Sequence, residues 1–170
     1  MDARQQLYMS VRDKIESIRD TGGNRIIKKF TFWNNNNLQY ERLKAHGFPA
    51  VFYKMQRVKW ETMNETQSNP NHERFAKCIV ELHVITECLQ DNDVSYLRNL
   101  AICQVVAAAI ENMSSDYFFV SNLDSEDDPT VITSVCESIQ YYSVELNQPA
   151  IESPHDIITG SEIDITTLTW

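Results

Sequence analysis

Residues 75–87 constrain the fold more than any other stretch, because their apolar side chains alternate with a period of two. This is the period of a β-strand, in which successive side chains point to opposite faces of a sheet. One predicted face is uniformly apolar and consists of Ala76, Cys78, Val80, Leu82 and Val84. The other face mixes Phe75, Ile79 and Ile85 with Lys77, Glu81, His83 and Glu87. We therefore predict a strand with one core face and one mixed face.

The segment that follows predicts a helix that packs against this sheet. Asp91, Asn92 and Asp93 offer capping side chains for a helix that runs to about Asn112. Its apolar residues recur at helical spacing and form a wide surface. They are Leu97, Ala101, Val105 and Ala108, with Ile102, Val106 and Ile110 beside them.

Other elements follow from periodicity and from turn residues. Residues 2–20 predict an amphipathic helix that the Thr21-Gly22-Gly23 turn ends. Short strands are predicted within 25–33 and 50–55, a short helix over 38–46, and a projecting polar loop over 61–72. Residues 116–128 are predicted to form a loop, 131–146 a strand, and residues after Asn147 an arm without Lys or Arg. These boundaries give a single domain over 1–146 and an interaction arm over 147–170.

Composition excludes several functional classes. Four glycines are too few and too scattered for G-x-G-x-x-G, G-x-x-x-x-G-K-[ST] or G-x-S-x-G. The histidines and cysteines show no zinc-ligand spacing, and the four cysteines lie in apolar runs typical of reduced, buried thiols. His83 and Glu81 share a face, which alternate residues on a strand do without any catalytic role. We therefore expect no enzyme, no metal and no cofactor.

Two further features of the sequence bear on the compartment in which the protein folds. No apolar run reaches the roughly 20 residues that span a bilayer, and the N-terminal residues lack the apolar core of a secretory signal. We expect a protein that folds in a cytoplasm, without a transmembrane helix or a membrane partner.

Charge is distributed unevenly along the chain. Residues 1–85 contain 14 basic and 9 acidic residues, whereas residues 86–170 contain 15 acidic residues and one basic residue, Arg98. If the two halves form separate surfaces, identical copies can stack basic flank against acidic flank. A simple contribution to solubility explains the same asymmetry.

The most acidic segment resembles a calcium loop only in part. Asp124, Glu126 and Asp128 fit the first, third and fifth positions, but Pro129 replaces the required glycine and Val135 the bidentate glutamate. We predict a solvated acidic loop with an electrostatic role. Its candidate residues are Asp124, Glu126, Asp127 and Asp128.

Basic and aromatic residues alternate in two places, as they do in proteins that bind single strands of nucleic acid. The segments are 25–33 and 53–60. A net charge of −9 opposes this interpretation, because counterion release needs a concentrated basic surface. We expect contact with DNA to be transient and non-specific.

Three runs together resemble tailed-bacteriophage tail-terminator and head-to-tail connector ring proteins. They are PAVFYKM through ERFAKCIVELHVITE, the helical run SYLRNLAICQVVAAAIENM, and the closing DDPTVITSVCESIQYYSVEL. The resemblance covers residues 2–146 by element order, while 25–46 and the arm are additions to it.

The resemblance implies an α+β subunit with a small, mostly antiparallel sheet flanked by an N-terminal helix and a central core helix. It implies a sixfold or twelvefold homo-oligomeric ring in the neck or tail of the virion, assembled in the host cytoplasm, with DNA passing through its centre. Portal, neck or tail proteins would be its neighbours. On this reading either the acidic residues 124–128 or the loop over 61–72 lines the channel, and the arm contacts a neighbouring copy through its apolar residues. These are Ile157, Ile158, Ile163, Ile165, Leu168 and Trp170.

A second interpretation, from a different functional class, is also compatible with the sequence. The acidic second half is compatible with a monomeric or dimeric interaction module that mimics nucleic acid or binds a basic partner. A large native mass favours the ring, whereas a small species with salt-sensitive binding favours the module.

Overall fold

The described part of the protein has an α+β fold, in which two helices pack on one face of a mostly antiparallel sheet. The computed structural model describes residues 2–33, 47–62, 73–88, 92–132 and 134–149. Within these residues, the predicted fold class is confirmed.

Eight strands form one sheet. They are β1 (Lys29–Phe32), β2 (Ala50–Met55), β3 (Lys59–Thr62), β4 (Arg74–Glu87), β5 (Ser114–Ser115), β6 (Phe118–Glu126), β7 (Thr130–Ile132) and β8 (Val135–Gln148). The order is β1-β2-β4-β8-β6-β5, with β3 paired to β4 and β7 paired to β8. Among the strands that the structure describes, only the β1–β2 pair is parallel.

The centre of the sheet is the antiparallel ladder between β4 and β8. It pairs every residue of β4 with one of β8, from Arg74 opposite Gln148 to Glu87 opposite Val135. Because the ladder joins segments far apart in the chain, it holds the two halves of the sequence in one domain.

The helices are α1 (Ala3–Ser17) and α2 (Asn92–Ile110). Asp2 caps α1, since its carboxylate accepts a hydrogen bond of 2.8 Å from the Arg4 backbone N–H. Leu7, Val11 and Ile15 of α1 are fully buried, as are Cys103, Val106 and Ile110 of α2. Both helices contribute to a single core cluster with one face of the sheet.

The predicted alternation of β4 is confirmed. Ala76, Cys78, Val80, Leu82 and Val84 all lie in the core cluster beneath the helices. We call the other side of the sheet, which no described helix covers, the opposite face. It holds a smaller apolar cluster of Ala50, Phe52, Ile85 and Val135.

The predicted helix over 2–20 is too long. It ends at Ser17, since Ile18 is already extended and residues 19 and 25 form a short bridge. Asp20 accepts hydrogen bonds from the backbone N–H groups of Gly22 and Asn24, so local side-chain bonding replaces the last helical turn. Gly23 takes the positive φ of 81° that closes this turn.

The predicted loop over 116–128 is also wrong, because residues 118–126 form strand β6. This strand pairs with β8 from Phe118 opposite Leu146 to Glu126 opposite Gln140, with irregular register in between. Its acidic end is exposed, which suits the outer part of a sheet. The strand predicted over 131–146 is two strands, β7 and β8, that pair as a hairpin.

Some predictions concern residues outside those described. The helix predicted over 38–46 lies there, as does the loop predicted over 61–72 apart from residues 61 and 62, which belong to β3. The arm predicted over 147–170 is described only to residue 149, and β8 extends the domain to Gln148.

Candidate functional site

A buried polar cluster occupies the opposite face between β2, β4 and β8. The imidazole of His83 lies between two carboxylates: its Nδ1 is 2.8 Å from Glu137 Oε1, and its Nε2 is 3.4 Å from Glu81 Oε2. The Trp33 indole stacks on the imidazole with ring centroids 3.8 Å apart. The Lys54 ammonium completes the cluster at 2.7 Å from Glu81.

The Lys54 ammonium offsets the charge of the Glu81 carboxylate within the cluster. Burial raises the pKa of Glu81, but hydrogen bonds from Lys54 and Gln56 outweigh this effect, so the net pKa is below its usual value. Both imidazole nitrogens face carboxylates, and the ring is covered by Trp33. An acid–base catalyst needs a nitrogen open to substrate, so this arrangement favours a stabilising role for His83.

Metal binding finds no support in the described part of the chain. It holds no group of three or more His, Cys, Asp or Glu side chains that could coordinate an ion. In the polar cluster, the carboxylates approach opposite sides of the ring and do not converge on one point. All four cysteines are free, and burial raises the pKa of the Cys78 thiol to about 11, as expected of an inert core thiol.

A shallow groove of about 340 Å³ lies elsewhere on the opposite face, across β4, β8 and β6. Its side chains are Lys77, Ile79, Phe119, Ser121, Ser143 and Glu145. Ser143 lies opposite Ile79 of β4, and its backbone oxygen accepts a hydrogen bond of 2.9 Å from Ser121 of β6, so small side chains line the middle of the depression. Phe119 is 43% exposed, and an ion pair of 2.9 Å between Lys77 and Glu145 forms the rim. We call this the sheet-face groove.

The outward side of α2 is the second exposed apolar surface. Leu97 is 64% exposed, Val105 is 36% exposed, and the exposed Ala101 and Ala108 continue the same side of the helix. Their spacing of four, four and three residues gives a continuous stripe. We call these four residues the α2 stripe.

The apolar character of α2 has a further consequence. From Asp93 to Ile110 the helix is long and apolar enough to cross a membrane, by length and composition alone, with a mean hydropathy of 1.2. This is weak evidence for a span, since core helices pass the same test. Asn99 argues for a core helix: its buried side chain donates to Cys136 O at 3.0 Å and accepts from Ser138 at 2.7 Å.

The four acidic candidates lie at the β6–β7 end of the sheet but do not form one loop. Asp124 and Glu126 belong to β6, and Asp127 and Asp128 lie in the turn to β7. Two of them have partners, since Glu126 accepts from Gln140 at 3.1 Å and Asp127 accepts from Tyr141 at 2.9 Å. The bond to Asp127 raises the pKa of Tyr141 to about 12.

The six apolar candidates of the arm, Ile157, Ile158, Ile163, Ile165, Leu168 and Trp170, lie outside the described residues. Three aromatic side chains of the basic and aromatic segments 25–33 and 53–60 make contacts within the domain. Phe30 and Tyr53 are in the core, and Trp33 covers His83. Phe32 of the same segment stacks on Tyr8 but is 56% exposed, so the segment keeps one exposed aromatic surface beside its basic residues.

Sequence patterns missed two features of these surfaces. The contact of His83 with Glu137 joins residues 54 positions apart, and no local spacing marks it. The sheet-face groove arises from the pairing of three strands, one of which was predicted as a loop. The small, polar Ser143, which follows Tyr141 and Tyr142 in β8, is a local signal of the groove.

No protein-family model matches this sequence, and no curated protein matches it.

Proposed function

We propose that this protein is a structural, non-enzymatic subunit of a closed homo-oligomeric ring in the neck or tail of a tailed bacteriophage. As a tail terminator or head-to-tail connector, the ring would let DNA pass through its centre. It would contact portal, neck or tail proteins on either side. The proposal takes its phage setting from the sequence resemblance and its mode of assembly from the surfaces described above.

The observation that supports assembly is the placement of two exposed apolar surfaces on opposite sides of the sheet. The α2 stripe lies on the helical side, and the sheet-face groove lies on the opposite face. A surface helix normally turns its apolar side inward and its charged side to water. On α2, however, Asp93 and Arg98 are the only charged residues. The exposed side of α2 therefore has the composition of a buried contact.

Because the two surfaces lie on opposite sides of the sheet, they favour a head-to-tail contact between copies over a twofold one. In a twofold dimer the same patch meets itself, so only one of the two surfaces would be covered. A contact of the stripe on one copy with the groove of the next covers both at once. Such a head-to-tail contact closes into a ring when the rotation from one copy to the next is an integer fraction of a full turn. Charge supports the same pairing, since Arg98 beside the stripe can approach Glu145 at the groove rim.

Native mass across a concentration series tests this proposal. We expect a closed species of six or twelve copies, and we expect Leu97→Glu to reduce it to monomer with an unchanged circular dichroism spectrum. Val131→Glu is the matched control, because Val131 is 51% exposed but lies in neither surface. It should assemble normally.

A second variant distinguishes a head-to-tail contact from a twofold one. Phe119→Glu places a charge in the groove and should also give monomer. Mixed together, the Leu97→Glu and Phe119→Glu proteins each keep one intact surface, so they should form a heterodimer and nothing larger. Normal assembly of Phe119→Glu would contradict the proposal, as would a wild-type protein that stays monomeric at all concentrations and with neck partners present.

A second candidate function rests on a separate observation. Residues 114–132 carry five acidic residues and no basic one, and Asp124 and Asp128 are exposed. This end of the sheet fits an acidic interaction module that binds a basic protein as monomer or dimer. A stable monomer that binds a basic partner, with affinity that falls steeply as salt rises, would favour this function over the ring.

A further inference from the structure

His83 lies at the centre of the buried polar cluster, and each of its ring nitrogens faces a carboxylate. Its Nδ1 is 2.8 Å from Glu137 Oε1, a distance typical of a hydrogen bond between charged groups. Its Nε2 is 3.4 Å from Glu81 Oε2, is buried, and has no hydrogen-bond partner in the described part of the chain. The residue is only 4% exposed, so solvent does not supply a substitute partner.

The protonation of the imidazole decides whether these two contacts attract or repel, because a carboxylate only accepts hydrogen bonds. In a neutral ring with its proton on Nδ1, the lone pair of Nε2 faces the Glu81 carboxylate. In the imidazolium both nitrogens carry a proton, and both contacts become attractive. The conformation of the cluster is therefore the one that fits the doubly protonated ring.

Three further features favour a cation at this position. The Trp33 indole stacks on the imidazole at 3.8 Å, with an angle of 8° between the rings, and an aromatic face attracts a cation. The Lys54 ammonium and an imidazolium together equal the charge of the two carboxylates. The proton between Glu137 and Nδ1 resides on the ring, because imidazole is a stronger base than a carboxylate.

We propose that His83 is a pH-sensitive clasp, which in its protonated form links β4 to β8 and holds Trp33 on the opposite face. Trp33 directly follows β1, and its backbone N–H donates to Tyr53 O of β2 at 2.8 Å. Loss of the ring proton leaves Nε2 facing a carboxylate and removes the cation beneath the indole. The attachment of Trp33 and of the end of β1 therefore weakens as pH rises through the range in which histidine titrates. The clasp acts within a single copy and does not depend on assembly.

The other titratable groups around the ring help to define the test. On the described elements that pack against it, they are Glu81 of β4, Lys54 of β2, and Glu137 and Tyr141 of β8. The pKa of Glu81 is below its usual 4.5, and the hydrogen bond to Asp127 raises the pKa of Tyr141 to about 12. Neither group titrates between about pH 5 and pH 9, where a free histidine changes its charge.

The ¹⁵N chemical shifts of the histidine ring test the proposal on the full chain. An imidazolium has two similar nitrogen shifts, whereas a neutral ring has two very different ones. At low pH, the nuclear Overhauser contact with the Trp33 indole identifies the His83 signal. From pH 5 to pH 9 we expect two similar shifts to become two different ones, and we expect the Trp33 indole N–H signal to move with the same midpoint. The Trp60 indole is the internal control, because it packs on the helical side and should not follow the ring.

Glu137→Gln tests the partner that holds the proton. Glutamine can still accept from Nδ1 but lacks the negative charge, so the proton affinity of His83 should fall by about tenfold or more. Glu73→Gln is the matched control, because Glu73 is exposed and lies just before β4, ten residues from His83. It should leave the proton affinity unchanged.

Three results would overturn the proposal. The first is a ring that keeps one form from pH 5 to pH 9, and a neutral form throughout would place the shared proton on Glu137. The second is an equal proton affinity in the two variants. The third is a Trp33 signal that does not follow the ring. The titration of the wild-type protein decides the first and third points even if Glu137→Gln does not fold.

Discussion

At the scale of single residues, the polar cluster on the opposite face shows how a buried carboxylate is kept ionised. Glu81 is only 7% exposed, yet Lys54 and Gln56 both bond its carboxylate. Their hydrogen bonds lower its pKa despite burial, so the charged form is the one that the fold stabilises. We therefore expect protonation of Glu81 at low pH to lower the free energy of unfolding.

We expect Glu81→Gln to destabilise the protein by about 1–3 kcal/mol at pH 7, through loss of a charged hydrogen bond. The folded pKa of Glu81 is below its usual 4.5, so its contribution is complete above pH 4.5 and is lost as pH falls through the folded pKa. The difference between wild type and variant should shrink below pH 4.5. Urea unfolding at pH 7 and pH 4 measures both values.

Glu145→Gln is the control for this prediction. Glu145 also pairs with a lysine of β4, but that pair is 60% and 84% exposed. Such pairs contribute about 0–1 kcal/mol, so the variant should be near wild type at both pH values. A Glu81→Gln variant whose deficit stays constant with pH would contradict the ionised-carboxylate account.

At the scale of elements, the amide side chain of Asn99 makes several of the polar contacts that join α2 to the sheet. The Nδ2 group of Asn99 donates to backbone oxygens of β4 and β8, and its Oδ1 accepts from Ser138. These bonds satisfy polar groups that lie beneath the helix, away from water. The position of α2 on the sheet, and hence of the α2 stripe, depends on them.

Asn99→Ala should destabilise the protein by about 2–4 kcal/mol, because it leaves buried carbonyl and hydroxyl groups without partners. Gln104→Ala is the control, since Gln104 is exposed on the same helix. It should change the free energy of unfolding by less than about 0.5 kcal/mol. Thermal and urea unfolding of both variants provide the comparison, and equal stability of the two would contradict the attachment role.

Much of the element pattern could be predicted from the sequence, because local periodicity reports burial directly. The alternation of β4 and the apolar positions of α2 identified the sheet and its covering helix. Strand β6 was not predicted, because runs of acidic residues are typical of loops. It is recognisable as a strand only from its pairing with β8. The polar cluster was missed for the same reason: Trp33, His83 and Glu137 are brought together by sheet register, which no single segment encodes.

At the scale of the whole molecule, the charge asymmetry of the sequence becomes an asymmetry across the sheet. Arg25, Lys28 and Lys29 lie at the β1 end, without an acidic residue between positions 25 and 33. The five acidic residues of 114–132 lie at the other end, on β6 and around it. Each copy therefore has a basic edge and an acidic edge. In a ring, every copy would present the same edge to the channel.

If the acidic edge faces the channel, it should keep DNA from adhering. We expect wild-type protein to bind linear double-stranded DNA weakly, and Asp124→Lys with Asp128→Lys to raise the affinity by about tenfold or more at low salt, with a steep loss as salt rises. Asp13→Lys with Glu73→Lys makes the same change in net charge at two exposed positions outside both contact surfaces. Fluorescence anisotropy measures both, and an equal rise for the two proteins would show that net charge alone matters.

The position of β8 has a consequence for synthesis of the chain. This strand is the last described element to leave the ribosome, yet it lies inside the sheet, paired with β4 on one side and β6 on the other. Until residues 135–148 emerge, β4 and β6 have no ladder between them, and the apolar face of β4 is only partly enclosed. The nascent polypeptide therefore cannot complete this domain before residues 135–148 are translated, and a product interrupted before residue 135 would leave β4 and β6 without their β8 partner and prone to aggregation.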